Sequence, residues 1–133
     1  VDEFQRWDYV GAPWRENDRW CQGKPWLMAS GNGGLSLRSR RAMLACLDKA
    51  PYTRGQSEDV YYAENVSKTG GMLAPRAVAL RFSVESVMAD DPFGLHAPFK
   101  HLSSADMAEL LAPIVYTTES GSTGAGADAG AGQ

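Results

Sequence analysis

The chain has 133 residues, 44% of them hydrophobic and 10% aromatic, which is enough to bury one core and too few for two ordinary domains. A formal charge of −3, from 13 Lys and Arg against 16 Asp and Glu, gives none of the basic excess that a phosphate backbone demands, so nucleic acid is not an expected partner. No apolar run approaches the roughly 18 residues of a membrane span, and Cys21 and Cys46 form neither a CxxC pair nor a zinc spacing, which leaves buried free thiols as the simpler expectation.

The chain opens at Val1 on a dense aromatic stretch, and a fragment or processed product is expected. Trp7-Asp8-Tyr9-Val10 is rich in strand formers and is stopped by Gly11-Ala12-Pro13. Residues 14 to 25 are polar, charged and aromatic, as in a surface loop, and Trp14, Trp20 and Trp26 lie in or beside it. Leu35-Ser36-Leu37 follows a glycine cluster as a short extended piece. Ser39 is an N-cap candidate for a helix running to about Lys49, with Met43, Leu44 and Leu47 on its apolar side.

Ser57 is a second N-cap candidate, before Glu58, Asp59, Val60, Tyr61 and Tyr62, with Gly70-Gly71 as the stop. Met72-Leu73-Ala74 reads as a brief strand before Pro75. Val78 to Val84 is apolar enough to be buried, but its periodicity leaves strand and short helix open. A last amphipathic helix, from about Ser104 to Leu111, carries Met107, Leu110 and Leu111 on one face and is expected to halt at Pro113. From Ser120 the chain is mostly Gly, Ala and Ser, with Thr123, Asp128 and Gln133 and no large apolar side chain, so residues 117–133 are expected to be a disordered tail behind a single unit, residues 1–116. Alternating short strand-like and helix-like pieces argue for an α/β fold.

Several constellations could carry chemistry. Gly31-Asn32-Gly33-Gly34 demands a tight turn or the close approach of another group. It is neither a dinucleotide fingerprint nor a P-loop, since the third glycine and the Gly-Lys-Ser/Thr are missing. A plain turn explains it; so does a shelf for a sugar ring, with Asn32 offering a donor and an acceptor to hydroxyls. Glu58 and Asp59, adjacent on a helix, point about 100° apart and cannot share one proton. Acids at a helix start are stabilised by the macrodipole, a purely structural role. In the functional alternative one of them accepts the proton of an attacking hydroxyl while the other holds hydroxyls in line.

His96, within Phe93-Gly94-Leu95-His96-Ala97-Pro98-Phe99, is either a packed histidine or one ligand of a cation; alone it makes no metal site. His101 follows Lys100 and reads as surface. Trp14 and Trp26 fit core or loop packing, or a sugar-stacking platform. Asn65-Val66-Ser67 matches a glycosylation acceptor but falls inside an expected helix.

Taken in order, Trp7 to Trp14, Gly31 to Arg38, Glu58-Asp59-Val60-Tyr61, Ala79 to Glu85 and Phe93 to Phe99 resemble the DUF5672 family, whose members are assigned a GT-A-like glycosyltransferase fold. The resemblance covers about residues 1 to 100. It implies the C-terminal, acceptor-side part of such a Rossmann-related domain, in an enzyme that moves a sugar from a nucleotide-sugar donor to a glycan or other hydroxyl acceptor. It further implies Asp59, and after it Glu58, as the base, Gly31, Asn32, Gly33, Gly34 and Trp14 as the acceptor shelf, and His96 as a ligand of Mn²⁺ or Mg²⁺ in a full-length parent. The Asp-x-Asp-like donor motif of GT-A domains does not precede Val1, and Asp90-Asp91 lies too late to replace it, so the chain by itself is expected to be inactive. The alternatives are a carbohydrate-binding module built on Trp14, Trp26 and Asn32, and a structural remnant of a transferase domain.

Overall fold

The computed structural model describes residues 2–119. Its architecture is mixed α/β, with six α-helices and two small two-stranded sheets among the described residues. A short α1 (Asp2–Gln5) leads into β1 (Tyr9–Gly11), which pairs antiparallel with β2 (Ser36–Arg38) in the register Tyr9↔Arg38, Val10↔Leu37, Gly11↔Ser36. Gly11 is required there, because a Cβ on it would stand 1.9 Å from the Asn32 carbonyl oxygen. The brief strand expected at Met72-Leu73-Ala74 is a single parallel bridge, Tyr9 to Leu73, with the Ala74 N–H donating to the Tyr9 carbonyl at 2.9 Å.

Successive residues of β1 point to opposite faces, as the strand period dictates, and this divides the core in two. Tyr9 packs with Cys21, Leu27, Cys46, Tyr61 and Val66 on one side. Val10 packs with Phe4, Ala74, Ala79 and Phe82 on the other, where Phe4 meets Phe82 edge-on at 5.1 Å between ring centroids. Both cysteines are buried and free.

The expected loop after Pro13 contains a 3-10 turn at Arg19–Cys21, and Pro25 then opens α2 (Pro25–Ser30), a helix the sequence signals had not marked. Pro at the first helical turn costs nothing, since that N–H has no intrahelical partner. β2 feeds α3 (Arg40–Lys49), capped as expected: the Ser39 hydroxyl accepts from the Ala42 N–H at 3.2 Å. Its buried face is the expected one only in part: Met43 packs partly buried against the core, but Ala42 and Cys46 turn inward while Leu44 and Leu47 are exposed.

α4 (Glu58–Asn65) starts after Ser57, although the Ser57 side chain makes no capping hydrogen bond. A 3-10 turn at Ser67–Thr69 follows, and Gly70 ends it at φ 90°, a left-handed conformation that glycine adopts without strain. The Asn65 amide donates to the Tyr61 carbonyl and Val66 is fully buried, so the glycosylation-like triplet is part of the packed helix end. The ambiguous stretch from Val78 resolves into both forms: α5 (Arg76–Phe82) passes directly into β3 (Ser83–Val84), which pairs parallel with β4 (Gly94–Leu95). α6 (Ser104–Glu119) runs through Pro113 rather than halting there. Proline removes one backbone donor and need not end a helix whose other bonds persist. The Gly/Ala-rich segment from Ser120 lies outside the described residues.

Candidate functional site

The glycine loop between α2 and β2 is where the expected site residues converge. Each of its glycines faces a different partner, and each would clash with that partner if it carried a Cβ. At Gly31 the Cβ would meet the Trp14 ring at 2.6 Å, at Gly33 the Arg38 guanidinium at 2.3 Å and Asp59 Cβ at 2.8 Å, and at Gly34 the His96 ring at 2.0 Å. The cluster is thus a close-approach device. The loop is tied down by the Asn32 N–H donating to Ala12 at 2.9 Å, and by the buried Tyr9 hydroxyl donating to the Gly31 carbonyl at 3.1 Å. Burial holds the Tyr9 hydroxyl protonated far above its ordinary range, against the opposing charge of Arg38, with Asp59 and Glu58 acting in the same direction as burial.

Asn32 is 7% exposed and its Oδ1 accepts from the Gly34 N–H at 2.9 Å. Its side-chain oxygen therefore braces the loop with one of its two lone pairs.

Glu58 and Asp59 have separate environments, as their helical offset requires. Glu58 is held by Arg38 in a two-pronged ion pair, Nη1 to Oε2 at 2.5 Å and Nη2 to Oε1 at 3.2 Å. Arg38 is fixed in turn over the rings of Tyr9 and Tyr62, at 5.1 and 5.5 Å from their centroids. Asp59 instead accepts from the Val60 N–H at 2.8 Å and, more loosely, from the Gly33 N–H at 3.4 Å. It lines a hollow of about 280 Å³ together with Trp14, Trp20, Lys24, Leu27 and Val60.

Trp14 is a fixed plate. Its ring edge abuts Gly31, and Arg76 holds its carbonyl at 3.1 Å while also binding the carbonyl of Met28. Trp26 packs against the core cluster with the Lys68 ammonium 5.6 Å from its ring, so the aromatic partner of Trp14 across the hollow is Trp20. Trp20 is 54% exposed.

His96 reaches the loop from beyond β4. Its Nδ1 lies 3.2 Å from Glu85 Oε1, and His101 Nε2 lies 3.9 Å from the same oxygen. Glu85 is buried, directly after β3, and sequence reasoning assigned it no role. A carboxylate continuing the apolar run from Val78 was the available signal, since an acid enters a core only with partners. Arg38, which closes the Gly31 to Arg38 block, was assigned no role either.

A hard cation such as Mn²⁺ or Mg²⁺ takes about six oxygen-rich ligands. Among the described residues no group of three His, Cys, Asp or Glu side chains could hold a metal ion, and His96 is placed beside one carboxylate. These described residues by themselves do not form such a shell.

A protein-family model described as "Protein of unknown function (DUF5672)" matches residues 1–96. No curated protein and no solved structure matches the chain.

Proposed function

The chain belongs to the DUF5672 family, and on that premise we propose that it forms the acceptor side of a glycosyltransferase, which moves a sugar from a nucleotide-sugar donor to a hydroxyl group. The observation that carries this reading is the placing of Asp59, whose carboxylate lines a tryptophan-walled hollow while the neighbouring Glu58 is engaged by Arg38. Sugars bind by stacking their C–H faces on aromatic rings and by hydrogen bonds from hydroxyls to fixed acceptors, and Trp14, Trp20 and Asp59 supply these.

In this reading Asp59 accepts the proton of the attacking hydroxyl. A carboxylate with a weakly held oxygen is suited to that step, whereas Glu58 would first have to surrender a charge-assisted pair. Arg38 and Glu58 then act as positioning residues that fix the Gly33 end of the shelf. This reading assigns no residue here to the donor nucleotide, and in it the chain binds an acceptor without nucleotide.

Two measurements test the proposal. A panel of immobilised saccharides, probed with the chain and no nucleotide, should show binding that Asp59→Asn weakens. In a protein carrying this domain together with a donor site, the same substitution should lower transfer by about a hundredfold or more. An unchanged rate would remove Asp59 from the mechanism, and binding without any transfer by such a protein would favour a carbohydrate-binding module instead.

A further inference from the structure

The hollow beside Asp59 has a neighbour. A second depression of about 220 Å³ is lined by Trp14, Arg15, Trp20, Glu85, Ser86 and His101. The two share both tryptophans. Each joins the aromatic plates to an acidic acceptor and a cationic or imidazole donor: Asp59 with Lys24 in the first, Glu85 with Arg15 and His101 in the second.

The second depression is built rather than incidental. Arg15 Nε donates to the Ser86 carbonyl at 2.8 Å and its Nη2 to the His101 carbonyl, which clamps the loop after Pro13 onto the chain that follows β3 and β4. Glu85 is a buried carboxylate aimed between two imidazoles, and the Ser86 hydroxyl is buried with no partner among the described residues. Trp20 leaves a large ring more than half exposed at the rim that both hollows share.

Resting on the sugar-acceptor reading above, we infer that the acceptor is an oligosaccharide of at least two units, seated across Trp14 with one unit beside Asp59 and the next beside Glu85. Each hollow alone falls below the roughly 300–1,000 Å³ of ordinary small-molecule sites, while the pair together enters that range. Trp14 is pre-set by Gly31 and Arg76, so little ordering entropy is lost when a ligand covers it. In this arrangement Glu85 has a job besides orienting His96: it accepts hydroxyls of the unit that does not react.

The test is a titration of the chain, followed by tryptophan fluorescence, with methyl glycosides of glucose, galactose, mannose and N-acetylglucosamine and with disaccharides and trisaccharides of the same sugars. For the sugar that binds, the disaccharide should bind at least tenfold more tightly than the methyl glycoside. Glu85→Gln should bring the disaccharide close to the affinity of the single unit and leave the single unit unchanged. Asp18→Asn, at the rim of the second hollow only, is the companion variant should Glu85→Gln disturb folding, and it should lower disaccharide affinity selectively. Equal affinity for one and two units overturns the two-unit acceptor and leaves the sugar reading standing. Equal loss for one and two units in both variants overturns the assignment of the second hollow. No binding to any saccharide in the series overturns the sugar reading and this inference with it.

Discussion

Gly34 lies flat against the imidazole of His96, so that a Cβ on the glycine would stand 2.0 Å from Cε1 and 2.2 Å from Nδ1. The same ring is held at Nδ1 by Glu85, and it cannot swing away without losing that contact. Gly34→Ala is therefore expected to cost about 1–3 kcal/mol, the usual range for overpacking, and to shift the ring resonances of His96 in an NMR spectrum. Unmoved resonances would show that the loop, not the ring, gives way.

Arg38 and Glu58 allow the two acids of α4 to be separated experimentally. The Glu58 side chain is 60% exposed, and the screened pair is expected to contribute no more than about 1 kcal/mol. Glu58→Gln should thus be mild in urea denaturation. Arg38→Met should cost more, because it also removes the contacts with Tyr9 and Tyr62, about 0.5–1 kcal/mol for each cation–π pair. Equal losses from the two variants would mean that the rings contribute nothing. Glu58→Gln should also keep saccharide binding that Asp59→Asn weakens.

Asp8 predicts an acid sensitivity. Burial pushes its carboxyl pKa up, but hydrogen bonds from the Ser39 hydroxyl and the Met72 N–H, together with the charge and hydrogen bonds of Arg41, outweigh burial and hold it below the ordinary 3.8. A folded-state pKa below the unfolded one means stability that is present above the unfolded value and is lost as pH falls through the folded one. Asp8→Asn should remove about 1.5–3 kcal/mol at neutral pH, the scale of hydrogen bonds to a charged group, and should flatten the decline of stability below pH 3.8. A variant whose acid denaturation curve parallels the parent's would rule Asp8 out as its source.

Ser39 serves two partners at once, accepting from the Ala42 N–H and donating to Asp8. Ser39→Ala is expected to cost about 0.5–2 kcal/mol as a lost N-cap. In a double-mutant cycle with Asp8→Asn the two losses should not add, with a coupling of about 0.5–3 kcal/mol. Strict additivity would indicate that the cap and the buried acid are independent.

Gly31→Ala should displace the Trp14 ring, since a Cβ there would lie 2.6 Å from it and 2.7 Å from the Leu27 carbonyl. Weaker saccharide binding with a shifted tryptophan emission is the expected outcome. Unaltered emission would show that Trp14 does not depend on Gly31 for its position.

Much of this was legible in the sequence wherever the signal is local. Ser39 announced the start of α3, Ser57-Glu58-Asp59 the start of α4, and the aromatic run before Gly11 a strand, because capping groups and strand formers act within a few residues of themselves. The glycine cluster left a tight turn and a close approach both open, and the structure shows the close approach. Where a local rule met tertiary packing it gave way. α3 turns Ala42 and Cys46 inward instead of Leu44 and Leu47, and α6 passes through Pro113.

By itself, then, the sequence determined an α/β composition of short elements, where α3 and α4 begin, and that Gly31, Gly33 and Gly34 need either a tight turn or a close neighbour. Only the tertiary structure decided what lies there: Trp14 at the first, Arg38 and Asp59 at the second, His96 at the third. It also decided that Glu58 is paired and Asp59 is not, and that Glu85 enters a hollow beside Trp14. Those partners are separated by 5 residues, for Gly33 and Arg38, to 71 residues, for Trp14 and Glu85, along the chain. Contacts at such distances are set by how whole elements pack around the Tyr9 and Val10 faces of β1, which neither propensity nor periodicity specifies.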